Sequence, residues 1–128
     1  MFLGMNLDDA QELKTVPAGE YQLQIISAEE KTSEKAHYLI VRLSIMNQSL
    51  VKKITQCLFF IQPDDDADAR NSKMLRMKYF ATAFGFDFKA NVDVNALSGA
   101  TGWALLKEVD KEEYGMQNEI TRFVSPKS

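Results

Sequence analysis

Apolar and polar residues alternate along two long parts of the chain, and the pattern changes to a helical period between them. In the alternating parts, apolar side chains recur at every second position, as in a β-strand with one buried face. From position 71 to 84 they recur every three or four positions, as in an α-helix packed on one side. The sequence therefore predicts three strands, one helix and two further strands, at residues 20–28, 37–46, 50–61, 71–84 (the helix), 101–109 and 118–124.

Strand phase indicates which side chains share a face. In the second strand, the odd positions from 39 to 45 are all aliphatic, and Tyr38 and Arg42 lie opposite them. Only residues 47–49 separate the second and third strands, which predicts a hairpin. In the fourth strand, Trp103 is in phase with Leu105, but the opposite face is also apolar. The pattern alone therefore leaves open whether Trp103 belongs to the core.

The predicted helix has signals at both ends. Asn71 or Ser72 is the expected N-cap, and Gly85 is the expected left-handed residue after the last turn. Leu75 and Tyr79 fall outside the apolar stripe, and we interpret them as possible contacts with a second protomer. The stripe is predicted to close one end of a barrel and consists of Met74, Met77, Phe80, Ala81 and Phe84.

A lone helix between the third and fourth of five strands is the element order of the OB-fold. We therefore predict a mainly β protein, a five-stranded OB-fold barrel with one helix between strands 3 and 4. The 128 residues suffice for one domain with its own core, preceded by a short N-terminal lead at 1–18. OB-folds bind oligonucleotides or oligosaccharides through one strand face and two loops, so this prediction has functional content.

Composition restricts the function classes. The net charge is −3, which argues against coating nucleic acid by bulk charge alone and leaves local basic groups to supply any affinity. No apolar run approaches the roughly 18 residues of a membrane helix, and the first residues lack the pattern of a secretion signal. The single cysteine, Cys57, cannot form an internal disulfide. We expect a cytoplasmic protein without membrane association.

Residues for catalysis or metal binding are few. His37 is the only histidine, so a zinc site with several N or S ligands is not expected, and no phosphate-binding glycine loop is present. The aspartates at 64, 65, 66 and 68 leave a Mg²⁺-dependent nuclease as an alternative, but we interpret them as a solvated loop and helix start. We therefore expect no catalytic residues, no metal and no cofactor, and a protein that is not an enzyme.

Basic and aromatic residues fall where an OB-fold would place its binding groove, on strands 2 and 3 and in the loops joining strands 1 to 2 and 4 to 5. The cations would neutralise phosphates, and the rings would stack on bases without reading sequence. A barrel with no ligand would also place rings in strands and charges in loops. The predicted DNA-binding residues are Lys31, Lys35, Tyr38, Arg42, Lys53, Phe59, Trp103, Lys107, Tyr114 and Arg122.

Several short motifs resemble a family of small phage proteins, long catalogued as of unknown function, some of which are recognised as single-stranded-DNA-binding proteins. The motifs are Val16-Pro-Ala-Gly-Glu-Tyr21, Leu97-Ser-Gly99, Tyr114-Gly115 and Asn118-Glu-Ile-Thr-Arg-Phe123. The resemblance implies an OB-fold protein, often a homodimer, that coats single-stranded DNA in phage replication and recombination in the cytoplasm of the bacterial host. Its partner would be a phage recombinase or annealing protein. We expect Gly19, Gly99 and Asn118 to be structural residues rather than DNA contacts.

A second interpretation is a protein-interaction or structural phage module with an OB-like barrel and no nucleic-acid ligand. The net acidity and the apolar residues outside the helical stripe favour it.

Overall fold

A computed structural model describes residue 4 and residues 7–87, 93–113 and 115–124. The predicted order of three strands, one helix and two strands is confirmed. Short 3₁₀ turns lie at Leu7–Asp9 and Val94–Leu97. The main elements are β1 (Gly19–Thr32), β2 (His37–Ile45), β3 (Ile54–Phe59), α1 (Ala67–Phe84), β4 (Thr101–Lys111) and β5 (Gly115–Val124).

The five strands form one antiparallel sheet in the order β3-β2-β1-β4-β5. The long β1 lies at its centre, pairing with β4 through its first half and with β2 through its second half, and a register shift between Ile25 and Ser27 lies in the ladder with β2. In the described residues, no ladder joins β3 to β5, so closure into a barrel is not shown. The architecture is thus mainly β, with one five-stranded sheet and one helix.

The largest differences from the predicted strand boundaries are at the end of β1 and at the start of β3. β1 continues to Thr32 because its polar end pairs with β2, Thr32 lying opposite His37, and the predicted loop at 29–36 shortens to a turn at 33–36. β3 begins at Ile54 rather than at 50. Leu50 has a φ of 56°, which is incompatible with an extended strand.

The sheet buries the predicted face. Leu39, Val41, Leu43 and Ile45 are all buried, as are Leu23 and Ile25 of β1. In β4 the structure decides the phase that the sequence left open. Ala104 and Leu106 enter the core, and Trp103 lies on the other face with 43% of its surface exposed.

The helix begins earlier than predicted. Asp66 is the N-cap and accepts a hydrogen bond from Ala69 N at 2.8 Å, so the prediction of Asn71 or Ser72 is wrong. Gly85 has a φ of 79°, which confirms it as the left-handed residue that ends the helix. No helix in the described part of the chain is both long enough and apolar enough to cross a bilayer.

The helical stripe is confirmed in its C-terminal half. Phe80, Ala81 and Phe84 are buried, and the rings of Phe80 and Phe84 meet Phe123 of β5 edge-on at 5.6 and 6.1 Å. Met74 is 50% exposed and lies outside the core, which corrects that part of the prediction. Met77, about one turn further along, is partly buried and packs against the core.

Candidate nucleic-acid interface

Three predicted site residues lie side by side across three strands. Tyr38 of β2 pairs with Lys31 of β1 on one side and with Phe59 of β3 on the other. Paired residues of neighbouring strands point to the same face, so the three side chains form one lateral row. The rings of Tyr38 and Phe59 are 5.5 Å apart, and 45% of the Phe59 surface is exposed. The row therefore offers an aromatic pair beside an ammonium group.

The same face continues along the strands. Arg42, two same-face positions beyond Tyr38, pairs with Ser27 and Thr55 and is exposed. Lys53 follows the phase of Thr55 just before β3 begins, and it is exposed as well. We call this surface the β1–β3 face; it comprises Ser27, Glu29, Lys31, Tyr38, Ile40, Arg42, Lys53, Thr55, Cys57 and Phe59.

One carboxylate offsets the charge of this face. Glu29 Oε1 lies 2.8 Å from Lys31 Nζ, and this hydrogen bond and the opposite charge lower the pKa of Glu29 and raise that of Lys31. The charge of Arg42 lowers the Glu29 pKa further. Any anion binding here must therefore compete with Glu29 for Lys31.

The turn between β1 and β2 borders the same end of the face. Its backbone is fixed by Ser33, whose N–H donates to Ala36 O at 2.8 Å, and Lys35 is exposed within it. His37 bonds to Glu30 and packs on Phe60 with ring centroids 4.4 Å apart. Lys35 is thus the cation that this turn presents to solvent.

The remaining predicted residues lie elsewhere. Trp103 faces Gln22 and Val124, Lys107 faces Glu119, and Arg122 faces Leu105. Gln22 and Lys31 are nine positions apart along β1, which is about 30 Å of extended strand. Tyr114 lies outside the described residues. The structure therefore brings together Lys31, Tyr38, Arg42, Lys53 and Phe59, borders them with Lys35, and separates them from Trp103, Lys107 and Arg122.

The turn between β4 and β5 is acidic in its described part. Lys111 Nζ is held 2.7 Å from Glu119 Oε1, and this hydrogen bond lowers the pKa of Glu119. Asp110, Glu112 and Glu113 are exposed beside it. In the described part of this turn, the ammonium group of Lys111 is thus paired with a carboxylate.

The aspartate cluster has structural roles. Asp66 caps α1, while Asp65 accepts from Gln62 N and contacts Lys73 Nζ at 2.9 Å. Together these contacts lower the pKa of Asp65, the backbone hydrogen bond most strongly. Among the described residues, no group of three or more His, Cys, Asp or Glu side chains is placed to hold a metal ion.

Two grooves beside α1 were not predicted. On the β3 side, an apolar groove of about 580 Å³ is lined by residues that include Phe60, Met74, Met77 and Phe86. On the β5 side, a groove of about 300 Å³ places Arg76 and Tyr79 of α1 beside Arg122. The sequence contained a signal for the groove on the β5 side, because residues 69–84 contain four basic residues and no acidic one. Strand phase alone could not show which strand that helix flank would meet.

Comparison with sequence families gives a match to residues 5–123, nearly the whole chain. The family is described as "Protein of unknown function (DUF669)". The chain belongs to this family. A comparison with curated proteins finds no match. The DUF669 description names no ligand or activity, so a functional conclusion depends on the β1–β3 face and the grooves around α1.

Proposed function

We propose that this DUF669 protein binds single-stranded DNA on the β1–β3 face without sequence preference, and coats it as a non-enzymatic protein in phage replication and recombination. The observation that carries the proposal is the row of Lys31, Tyr38 and Phe59 across three neighbouring strands. Single-strand binders combine exposed rings with a basic path for the backbone, and the row supplies both.

In this proposal, each basic or aromatic side chain of the interface has a specific role in binding the DNA strand. Tyr38 and Phe59 stack on bases, at about 1–3 kcal/mol per base. Arg42 lies four residues along β2 from Tyr38, about 13 Å away, so it meets a phosphate further along the same strand. Lys31, Lys35 and Lys53 neutralise other phosphates. Since ring faces accept every base, the interface is insensitive to sequence.

The topology supports an OB-fold as the framework. β1 pairs with both β2 and β4, its ladder with β2 has a register shift, and α1 lies between β3 and β4. In that fold the surface of strands 2 and 3 binds oligonucleotides. The β1–β3 face includes residues of both strands, and the turn between β1 and β2 borders it.

The test is a fluorescence anisotropy titration of labelled oligo-dT at low and high salt, with duplex DNA and oligo-U for comparison. Saturable binding that weakens with salt is expected, with affinity reduced about tenfold or more in Tyr38→Ala and Phe59→Ala. The matched control is Trp103→Ala, which removes an exposed ring from β4 and should bind as the wild type does. Absence of oligo-dT binding at low salt, or equal losses in all three variants, would overturn the proposal.

A second candidate is a protein-interaction module, favoured by the apolar groove between α1 and β3. Phe59, Ile61 and Met74 are exposed large apolar residues on its lining. A homodimer, or a recombinase or annealing protein as partner, are proposals of this kind. Light scattering during size exclusion tests self-association. If this groove forms a dimer, Met74→Glu yields monomers while oligo-dT binding is retained; monomeric wild type would count against the dimer.

A further inference from the structure

The exposed charge of α1 has the opposite sign to that of the chain. Residues 69–84 contain Arg70, Lys73, Arg76 and Lys78 and no Asp or Glu, whereas the whole chain has a net charge of −3. Lys73 is paired with Asp65. In the described part of the chain, neither Arg76 nor Arg122 forms an ion pair with a carboxylate. Both guanidinium groups are therefore available to an external anion.

These two arginines meet in the groove between α1 and β5. Arg76 and Arg122 both line it, with Ser72 and Tyr79 on the helix side and Thr121 on the strand side. Tyr79 is 51% exposed. The groove thus combines two cations, two hydroxyl groups of Ser72 and Thr121, and an accessible ring. That combination suits a phosphate backbone with an adjoining base.

A smaller cleft connects this groove to the β1–β3 face. The cleft has a volume of about 170 Å³ and lies between β3 and α1, with Phe59 on one side and Ser72 and Arg76 on the other. Ser72 and Arg76 also line the groove at β5. Because the two clefts share Ser72 and Arg76, together they extend from Phe59, past Arg76, to Arg122. They lie on the side where β3 and β5 have no ladder in the described residues.

We propose that the groove formed by Ser72, Arg76, Tyr79, Thr121 and Arg122 is a second binding segment for the same DNA strand. A strand leaving the β1–β3 face at Phe59 continues over Arg76. Arg76 and Arg122 contact its phosphates, and Tyr79 stacks on a base. The inference depends on the proposed function and extends it, because it predicts a longer site with a specific path around the β3 edge.

The length of the oligonucleotide separates the two segments. An oligo-dT of about 8 nucleotides falls within the range that one OB-fold covers and should occupy the β1–β3 face alone. One of about 20 nucleotides reaches the groove as well. Once the β1–β3 face holds one part of this oligonucleotide, the groove meets the rest of the strand at a high effective concentration. The second contact therefore increases the affinity.

The experiment compares both oligonucleotides on the wild type and on the double variant Arg76→Gln/Arg122→Gln. For the long oligonucleotide we expect the affinity to fall about tenfold and the slope of log K against log salt to decrease by about 1.4, the value for two phosphate contacts on a single strand. The affinity for the short oligonucleotide should stay within about twofold. The control, Arg70→Gln/Lys78→Gln, removes the same charge from α1 residues that do not line the groove. It should not reduce the salt slope for either oligonucleotide by this amount.

The outcomes distinguish this inference from the proposed function. If the wild type binds neither oligonucleotide, both are overturned. If it binds both, and the groove variant behaves like its control, the inference is overturned and the β1–β3 site stands. If the groove variant changes the oligomeric state measured by light scattering, the groove is a protein interface and the inference is overturned.

Discussion

The side-chain amide of Asn118 pairs with both backbone groups of Val16. Val16 N donates to Asn118 Oδ1 at 2.9 Å, and Asn118 Nδ2 donates to Val16 O at 2.9 Å and to Lys107 O at 3.2 Å. Asn118 is only 6% exposed, and Val16 belongs to the core. One buried amide thus fastens the segment before β1 to the β4–β5 hairpin, which agrees with the structural role expected for Asn118.

Replacement of Asn118 should lower the stability of the protein. Asn118→Ala leaves the Val16 N–H and C=O buried without partners, and each such group costs about 1–3 kcal/mol. We expect the free energy of unfolding to fall by about 2–4 kcal/mol in urea denaturation followed by circular dichroism. Asn71→Ala, on the exposed surface of α1, is the control and should change it by less than about 0.5 kcal/mol. A comparable change in both variants would contradict the role of the amide.

Gly102 marks the point where β4 approaches the end of α1. A Cβ at this position would lie 2.7 Å from Ala83 O and 3.0 Å from Phe84 Cδ1. Because a backbone carbonyl cannot move aside as a side-chain tip can, we expect Gly102→Ala to lower the free energy of unfolding by about 1–3 kcal/mol. Thr101→Ala, at the exposed neighbouring position, is the control in the same denaturation assay. An unchanged midpoint for Gly102→Ala would show that helix and strand can separate without cost.

Alternation predicted the sheet faces where the two sides of a strand differ in polarity. β2 is the clearest case, because Leu39, Val41 and Leu43 alternate with residues that include Tyr38 and Arg42. In β4 both sides are apolar, so the phase depended on packing. Gly102 has no side chain and lies against the helix, and this sets Ala104 and Leu106 inward and Trp103 outward.

The helix start and the α1–β5 groove could not be predicted from the sequence, for different reasons. Several residues before α1 can cap a helix, and only the hydrogen bond of Asp66 to Ala69 N identifies the one that does. The groove depends on which strand lies along the Arg76 flank of α1. This relationship depends on tertiary packing, which the periodicity of the sequence does not encode, even though the sequence showed that the helix is basic.

Acid should weaken the loop before α1 through Asp65. Its pKa is lowered in the folded protein by the Gln62 N–H and by Lys73, so its contribution to stability is present above the unfolded pKa, near pH 4. The contribution is lost as the pH falls through the lower folded pKa. Asp65→Asn should therefore be less stable than the wild type at pH 7, with a difference that shrinks towards pH 2. Urea midpoints measured from pH 7 to pH 2 check this.

The matched control for Asp65 is Asp64→Asn, which removes the adjacent exposed carboxylate. Its midpoints should run parallel to those of the wild type over the same pH range. A constant difference between Asp65→Asn and the wild type at every pH would contradict the ionic role of Asp65.

If the β1–β3 face binds DNA as proposed, Glu29 should limit the affinity by pairing with Lys31. Glu29→Gln removes the charge that pairs with Lys31 Nζ at 2.8 Å and acts on Arg42. With Lys31 released, we expect the affinity for oligo-dT to rise about two- to fivefold at low salt. The slope of log K against log salt should steepen by up to about 0.7, the value for one full phosphate contact on a single strand, because Lys31 no longer divides its charge between Glu29 and the phosphate. Anisotropy titrations at several salt concentrations measure both quantities.

Two further variants show whether Lys31 is the cause of that gain. Glu34→Gln makes the same change in net charge in the adjacent turn, where Glu34 is exposed, so a general charge effect would raise the affinity equally in both variants. Lys31→Gln combined with Glu29→Gln removes the released ammonium group, so its salt slope should be no steeper than that of the wild type. Equal gains in Glu29→Gln and Glu34→Gln would show that Lys31 does not contact the strand. The contacts on the β1–β3 face would then be Tyr38, Arg42, Lys53 and Phe59.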